Sequence, residues 1–166
     1  MNLNLGDREA KLSPDRQYRY ALWRRWDRRE EGRQVLFVML NPSTADESFD
    51  DPTIRRCVGF AKSWGFGSLA VGNLFALRAT DPRELRRHAD PIGPENNHHL
   101  LALMAQSDLV VAAWGIDGNY LGRNKSVRDM WPDWKVLGLT KGLINDGHPK
   151  HPLYLPANLQ PIPWTQ

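Results

Sequence analysis

Two side-chain amides, Asn41 and Asn73, stand near the ends of apolar runs, and two histidines, His148 and His151, follow the last such run. In Met39-Leu40-Asn41-Pro42-Ser43, Pro42 holds Asn41 extended and cannot continue a strand ladder. The Asn41 amide is thereby fixed at a strand tip, where it can hold a water or read a flat ligand through both donors and acceptors. A capped turn would use the same residues. Asn73, in Gly72-Asn73-Leu74-Phe75, lies in apolar surroundings and must find partners, in a ligand edge or in neighbouring backbone. The histidines three apart could bind metal, but Pro149 breaks the helix that would put them on one face. What remains for His151 is donation to a developing negative charge, or an exposed loop position. Asp46, Asp50 and Asp51 could gather a divalent cation as hard oxygen ligands. Alternatively Asp51 caps a helix and the other two are solvated. The Gly115-to-Gly118 stretch lacks the spacing of a dinucleotide fingerprint.

The elements that must position these groups follow from the hydrophobic pattern. Residues 1–15 read as a flexible arm and 16–166 as a single α/β domain. Gln17 to Trp26 alternates apolar and basic residues, as an antiparallel edge strand would. Four runs, ending near Leu40, Leu74, Ala113 and Leu139, read as strands buried on both faces. Asp51-Pro52 starts a helix that Gly65 ends, and shorter helices are expected from Asp81, Pro94 and Ser126. Strand alternating with helix predicts a mostly parallel sheet with helices on both faces, a three-layer α/β/α arrangement. Ligands bind such sheets beyond the carboxyl ends of the strands. That singles out Asn41 to Asp51, Asn73 to Asp81, Trp114 to Asn124 and Thr140 to Tyr154; the tail from Thr140 onward reads as an ordered loop.

The chain of 166 residues suits one domain, and its single cysteine, Cys57, excludes an internal disulfide, a four-cysteine zinc site and an iron–sulfur cluster held by its own thiolates. No apolar run is long enough to cross a bilayer, and the first residues lack the apolar stretch of a signal peptide, so a cytoplasmic place and no membrane partner are expected. The net charge of +3 permits nucleic-acid binding without requiring it. Arginines crowd the N-terminal quarter, from Arg16 and Arg19 through Arg24 to Arg33, as a solvated face or as phosphate contacts. Seven tryptophans is a high count; most are expected in the core, and one or two at a site mouth could stack on a flat ligand.

The runs MLNPSTADESFDDPTIRRC, NLFALRATDP, DPIGPEN, VVAAWG and GHPKHPLYL together resemble an uncharacterised bacterial and phage family, domain of unknown function 1643, over roughly residues 18 to 156. The order of the motifs is also similar to that in the uracil-DNA glycosylase superfamily. That resemblance implies a central four-stranded sheet in the order second, first, third, fourth (2-1-3-4), without cofactor or metal. It implies that Asn41 places a water, Asp46 assists, and His151 supports the leaving base. Pro42 and Ser43 would flank the water, Asn73 would read the base, and Phe49, Phe75 or Trp114 would stack on it. Arg78, His148 and Tyr154 would complete the substrate contacts. The expected partner is a nucleic acid or nucleotide-like ligand, and the expected activity a metal-independent N-glycosylase acting in DNA repair or base modification. Departures stand beside it: the Asn-Pro motif lacks its two glycines, and Leu153 stands where that superfamily has a serine. The alternatives are a binding module that kept the pocket without hydrolysis, and a metal-dependent phosphoesterase built on the acidic loop 46–51.

Overall fold

Six of the seven strands of the main sheet lie between a charged N-terminal ribbon and the fourth apolar run, and the seventh comes from the C-terminal tail. In a computed structural model the described residues are 7–29, 33–138, 143–144 and 147–165. The fold is mixed α/β. Strands β1 (Arg8–Leu12), β2 (Arg19–Arg25), β3 (Gln34–Met39), β4 (Ser68–Asn73), β5 (Leu109–Ala112) and β6 (Lys135–Gly138) are joined by helices α1 (Pro52–Ser63), α2 (Glu84–Arg87), α3 (Asn96–Ala105) and α4 (Arg123–Arg128). A short pair, β7 (Leu143–Ile144) with β8 (His148–Pro149), stands apart, and β9 (Gln160–Pro163) closes the main sheet.

The sheet order is β1-β2-β4-β3-β5-β6-β9. Strand β3 pairs in parallel with both β4 and β5, and β5 with β6; the outer pairings are antiparallel. The inner strands are buried along almost their whole length, which is why their sequences are unbroken apolar runs rather than alternating ones. Alternate residues face two cores. Val35, Phe37, Val71 and Val111 pack under α1 with Ile54, Cys57 and Phe60. Leu36, Val38, Ala70 and Ala112 pack against Leu85, Leu100, Leu103 and Val127 of α2, α3 and α4.

Five expectations need correction. The sheet has seven strands, not four and an edge. Residues Arg8–Leu12, expected to be part of a loose arm, form β1 because Arg8, Glu9, Ala10 and Lys11 pair with Arg24, Trp23, Leu22 and Ala21. Strand β2 is therefore an inner strand, not an edge. Within the tail expected to be loop, Gln160–Pro163 pairs with β6 as an edge strand, a position that tolerates its two prolines. The loop expected at Gly115–Gly122 is mostly a kinked 3-10 segment, Ile116–Gly122. Thr140 and the other residues between 138 and 143 lie outside the described residues, as do residues 1–6 of the expected arm.

Candidate functional site

The first two core strands end short of Pro42 and where the chain leaves β4. Backbone bonds Leu74 N to Met39 O (2.8 Å) and Phe75 N to Leu40 O (3.0 Å) continue the pairing past both strands. The Asn73 and Leu74 carbonyls then leave the ladder. Both accept from Asn96 Nδ2, at 3.0 and 3.1 Å, and Leu74 O also accepts from Arg123 Nε at 2.8 Å. Asn96 and Arg123 are buried, and burial lowers the Arg123 pKa to about 10. Such carbonyls must be paired when water is excluded, so these two side chains fix the path of the segment that walls the site.

Beyond the strand ends lies a cavity of about 390 Å³. Asn41, Pro42 and Ser43 contribute from β3, Asp51, Thr53 and Ile54 from the start of α1, Ala79 and Thr80 from the segment after β4, Trp114 to Asp117 from the turn after β5, and His151 from the late loop. Arg19, Met39 and Leu40 also line it. The volume falls in the range of small-ligand sites, and the lining mixes apolar walls with a few polar groups.

Asn41 donates through Nδ2 to the carbonyls of Ala79 (2.7 Å) and Pro42 (3.1 Å). Two acceptors facing one end of the amide fix its orientation and leave Oδ1 to accept. His151 accepts the Leu153 N–H at Nδ1 (3.2 Å). Burial lowers its pKa below 6.5, with Asp51 opposing. The ring is therefore neutral near pH 7, and since Nδ1 accepts, the proton resides on Nε2, which is a donor. Gly115, at φ +75, turns the chain so that its N–H donates to Pro149 O (3.0 Å), which ties the histidine loop to the cavity wall. Trp114 is buried, edge-on to Trp134 and Trp164 at 5.5 and 5.6 Å, and presents a wall rather than a free stacking ring.

The structure thus brings Asn41, Pro42, Ser43, Trp114 and His151 together, and leaves the other expected site residues outside the cavity lining. Asn73 is 1% exposed and neither amide atom has a hydrogen-bond partner. Asp46 caps a turn: its Oδ1 accepts from Ser48 N (2.8 Å) and Phe49 N (2.9 Å), and the first of these bonds is the main cause of its lowered pKa. Phe49 is 55% and Tyr154 93% exposed. Arg78 donates to Arg16 O at 3.3 Å, and His148 sits in the β7–β8 pair. Arg19, named from sequence only among the arginines of the N-terminal quarter, and Asp117, not singled out, carried no local signal beyond their charge.

The arginines of the N-terminal quarter divide. Arg24 is buried and bonds Asp50 at 2.8 Å, as well as the Asp46 carbonyl; Arg8 reaches the same Asp50 at 3.1 Å, and Arg16 pairs with Glu47 at 3.3 Å. These arginines clamp the acidic loop onto the sheet, and Asp51 caps α1 through Ile54 N at 2.9 Å. The three acids therefore point to separate partners. Among the described residues no group of three or more His, Cys, Asp or Glu is placed to hold a metal ion.

Fold and site together define a mixed α/β protein with a cavity of mixed polar and apolar lining at the carboxyl ends of its parallel strands. The chain belongs to the family described as protein of unknown function (DUF1643), whose model matches residues 19–153. No curated protein and no solved structure matches it. Among the described residues no helix is long and apolar enough to cross a membrane.

Proposed function

We propose that the chain recognises a flat polar ring, the base of a nucleic acid or nucleotide, in the cavity at Asn41, and that the chemistry suited to the site is hydrolysis of the N-glycosidic bond. The observation that carries this is that two residues lining one cavity each have one end engaged: Asn41 by its Nδ2, which leaves Oδ1 to accept, and His151 by its Nδ1, which leaves Nε2–H to donate. In hydrolysis the bond between sugar carbon and ring nitrogen breaks, its electron pair leaves with the ring, and a water oxygen takes the carbon. The proton released from that water goes to the departing ring. Asn41 Oδ1 can hold the water by accepting a hydrogen bond from it, and His151 Nε2–H can offset the negative charge on the ring. The parallel order β4-β3-β5-β6, with the cavity beyond the carboxyl ends of β3, β4 and β5, supports the likeness to the glycosylase superfamily. A ring in duplex would have to leave the stack to enter.

The placement of Asp46 outside the cavity favours a second possibility, a module that binds the ring without hydrolysing it. One experiment separates them. Purified protein is given oligonucleotides carrying uracil, hypoxanthine or hydroxymethyluracil, with and without a chelator. Release of free base that survives the chelator supports hydrolysis, and binding without release supports the module. No binding and no release on any substrate overturns both.

A further inference from the structure

Arg19 lies at the cavity without a carboxylate in ion-pair contact, although the charges of Asp51 and, more weakly, Asp46 favour its protonated form. It is 2% exposed, and Nη1 donates to Ala45 O at 2.8 Å, while Nε has no hydrogen-bond partner. None of the ion pairs among the described residues includes it. Burying a guanidinium with one hydrogen bond is costly, and the usual compensation is an acceptor of matching geometry. Asp51 lines the same cavity, is 8% exposed, and uses Oδ1 for the helix cap, so its second oxygen remains to accept. A carboxylate and a guanidinium held apart on one wall make a reader with one acceptor and one donor.

We propose that Arg19 and Asp51 read the ring edge, so that the ligand must carry a hydrogen-bond donor beside an acceptor, as in the N–H and C=O of a lactam. This rests on the base-binding role proposed above. A ring edge with acceptors alone leaves the Asp51 carboxylate facing a lone pair, and such mismatches in a buried site are rejected strongly. The neutral edge also matches the opposite charges of the two side chains better than an anionic ligand does, since Asp117 adds a second carboxylate at the cavity.

The test uses small rings, with the sugar position blocked by methyl. Binding of 1-methyluracil and 9-methylhypoxanthine is measured by calorimetry against 1,3-dimethyluracil and 1,9-dimethylhypoxanthine, which lack the donor. The expected result is at least about ten-fold weaker binding of the rings without the donor. In Asp51→Asn the cap is kept, because asparagine caps helices as well as aspartate. This variant loses affinity for the parent rings and not for the dimethyl rings. Equal binding of both kinds by the wild type, or an unchanged ratio in Asp51→Asn, overturns the inference while base binding stands. Failure of both parent rings to bind overturns the base-binding role and the inference together.

Discussion

Asn41 Nδ2 lies 2.7 Å from the Ala79 carbonyl, and the Ala79 N–H returns a bond to Pro42 O at 2.9 Å, so the tips of two neighbouring strand segments are stitched through one side chain and one peptide. Asn41→Ala removes the amide bonds, at a cost of about 1 kcal/mol each. Asn41→Asp is worse, because a carboxylate then faces two carbonyl oxygens. Urea denaturation at neutral pH gives the order wild type, Asn41→Ala, Asn41→Asp in falling stability. An Asn41→Asp variant as stable as the wild type would contradict the stitch.

Asn73 is a buried amide without partners, on a strand whose neighbours are apolar. Replacing an unsatisfied polar group by an apolar one of similar volume is neutral or stabilising. Asn73→Leu is therefore expected to keep or raise the unfolding free energy, by about 1 kcal/mol at most. Ring binding is unchanged, because Asn73 does not line the cavity. Loss of ring binding with the fold intact would restore Asn73 as a base reader.

Gly118 is where the 3-10 segment passes closest to the tryptophan wall. A Cβ there would lie 2.8 Å from Trp114 Nε1 and 3.1 Å from Leu74 Cδ1. Overpacking of this kind costs about 1–3 kcal/mol. Gly118→Ala should lower the melting temperature and change the near-ultraviolet circular dichroism of the Trp114, Trp134 and Trp164 cluster. An unchanged spectrum and melting point would mean that the indole moves freely.

The His151 imidazole is held below its ordinary pKa of 6.5, by burial first, with Asp51 pulling the other way. The unfolded ring takes up a proton near that value and the folded ring only at lower pH. Stability is therefore full above 6.5 and falls as the pH drops through it toward the folded value. Protonation also places an N–H at Nδ1 against the Leu153 N–H. His99 is shifted in the same direction, again by burial, so the slope is shared. His151→Gln, followed by urea midpoints from about pH 7.5 to about pH 5, should show a shallower loss than the wild type. Identical slopes would remove His151 from the balance.

Much of the scaffold was legible because burial on both faces leaves an unmistakable mark. Val35 to Leu40 and Ser68 to Leu74 read as inner strands, and Asp51-Pro52 announced α1 through a cap and a preset φ. Strand β1 escaped because Arg-Glu-Ala-Lys-Leu has no apolar stripe; what holds it is its pairing with β2, a relation between distant segments. The site divides the same way. Asn41 was visible because Pro42 fixed its backbone at a strand tip, and His151 because a titratable ring follows the last apolar run. Arg19 resembled its solvated neighbours until the fold buried it, and Asp46 looked available until Ser48 and Phe49 donated to it. A sequence shows which side chains are capable of chemistry, while three-dimensional pairing decides which of them are already engaged.

The cavity's role is tested most directly by a crystal structure of the protein soaked with 1-methyluracil or 9-methylhypoxanthine. The ring is expected between the Asn41 tip and the His151 loop, against Trp114, with its edge toward Arg19 and Asp51. A ring bound only elsewhere on the molecule, with this cavity left to water, would contradict the account.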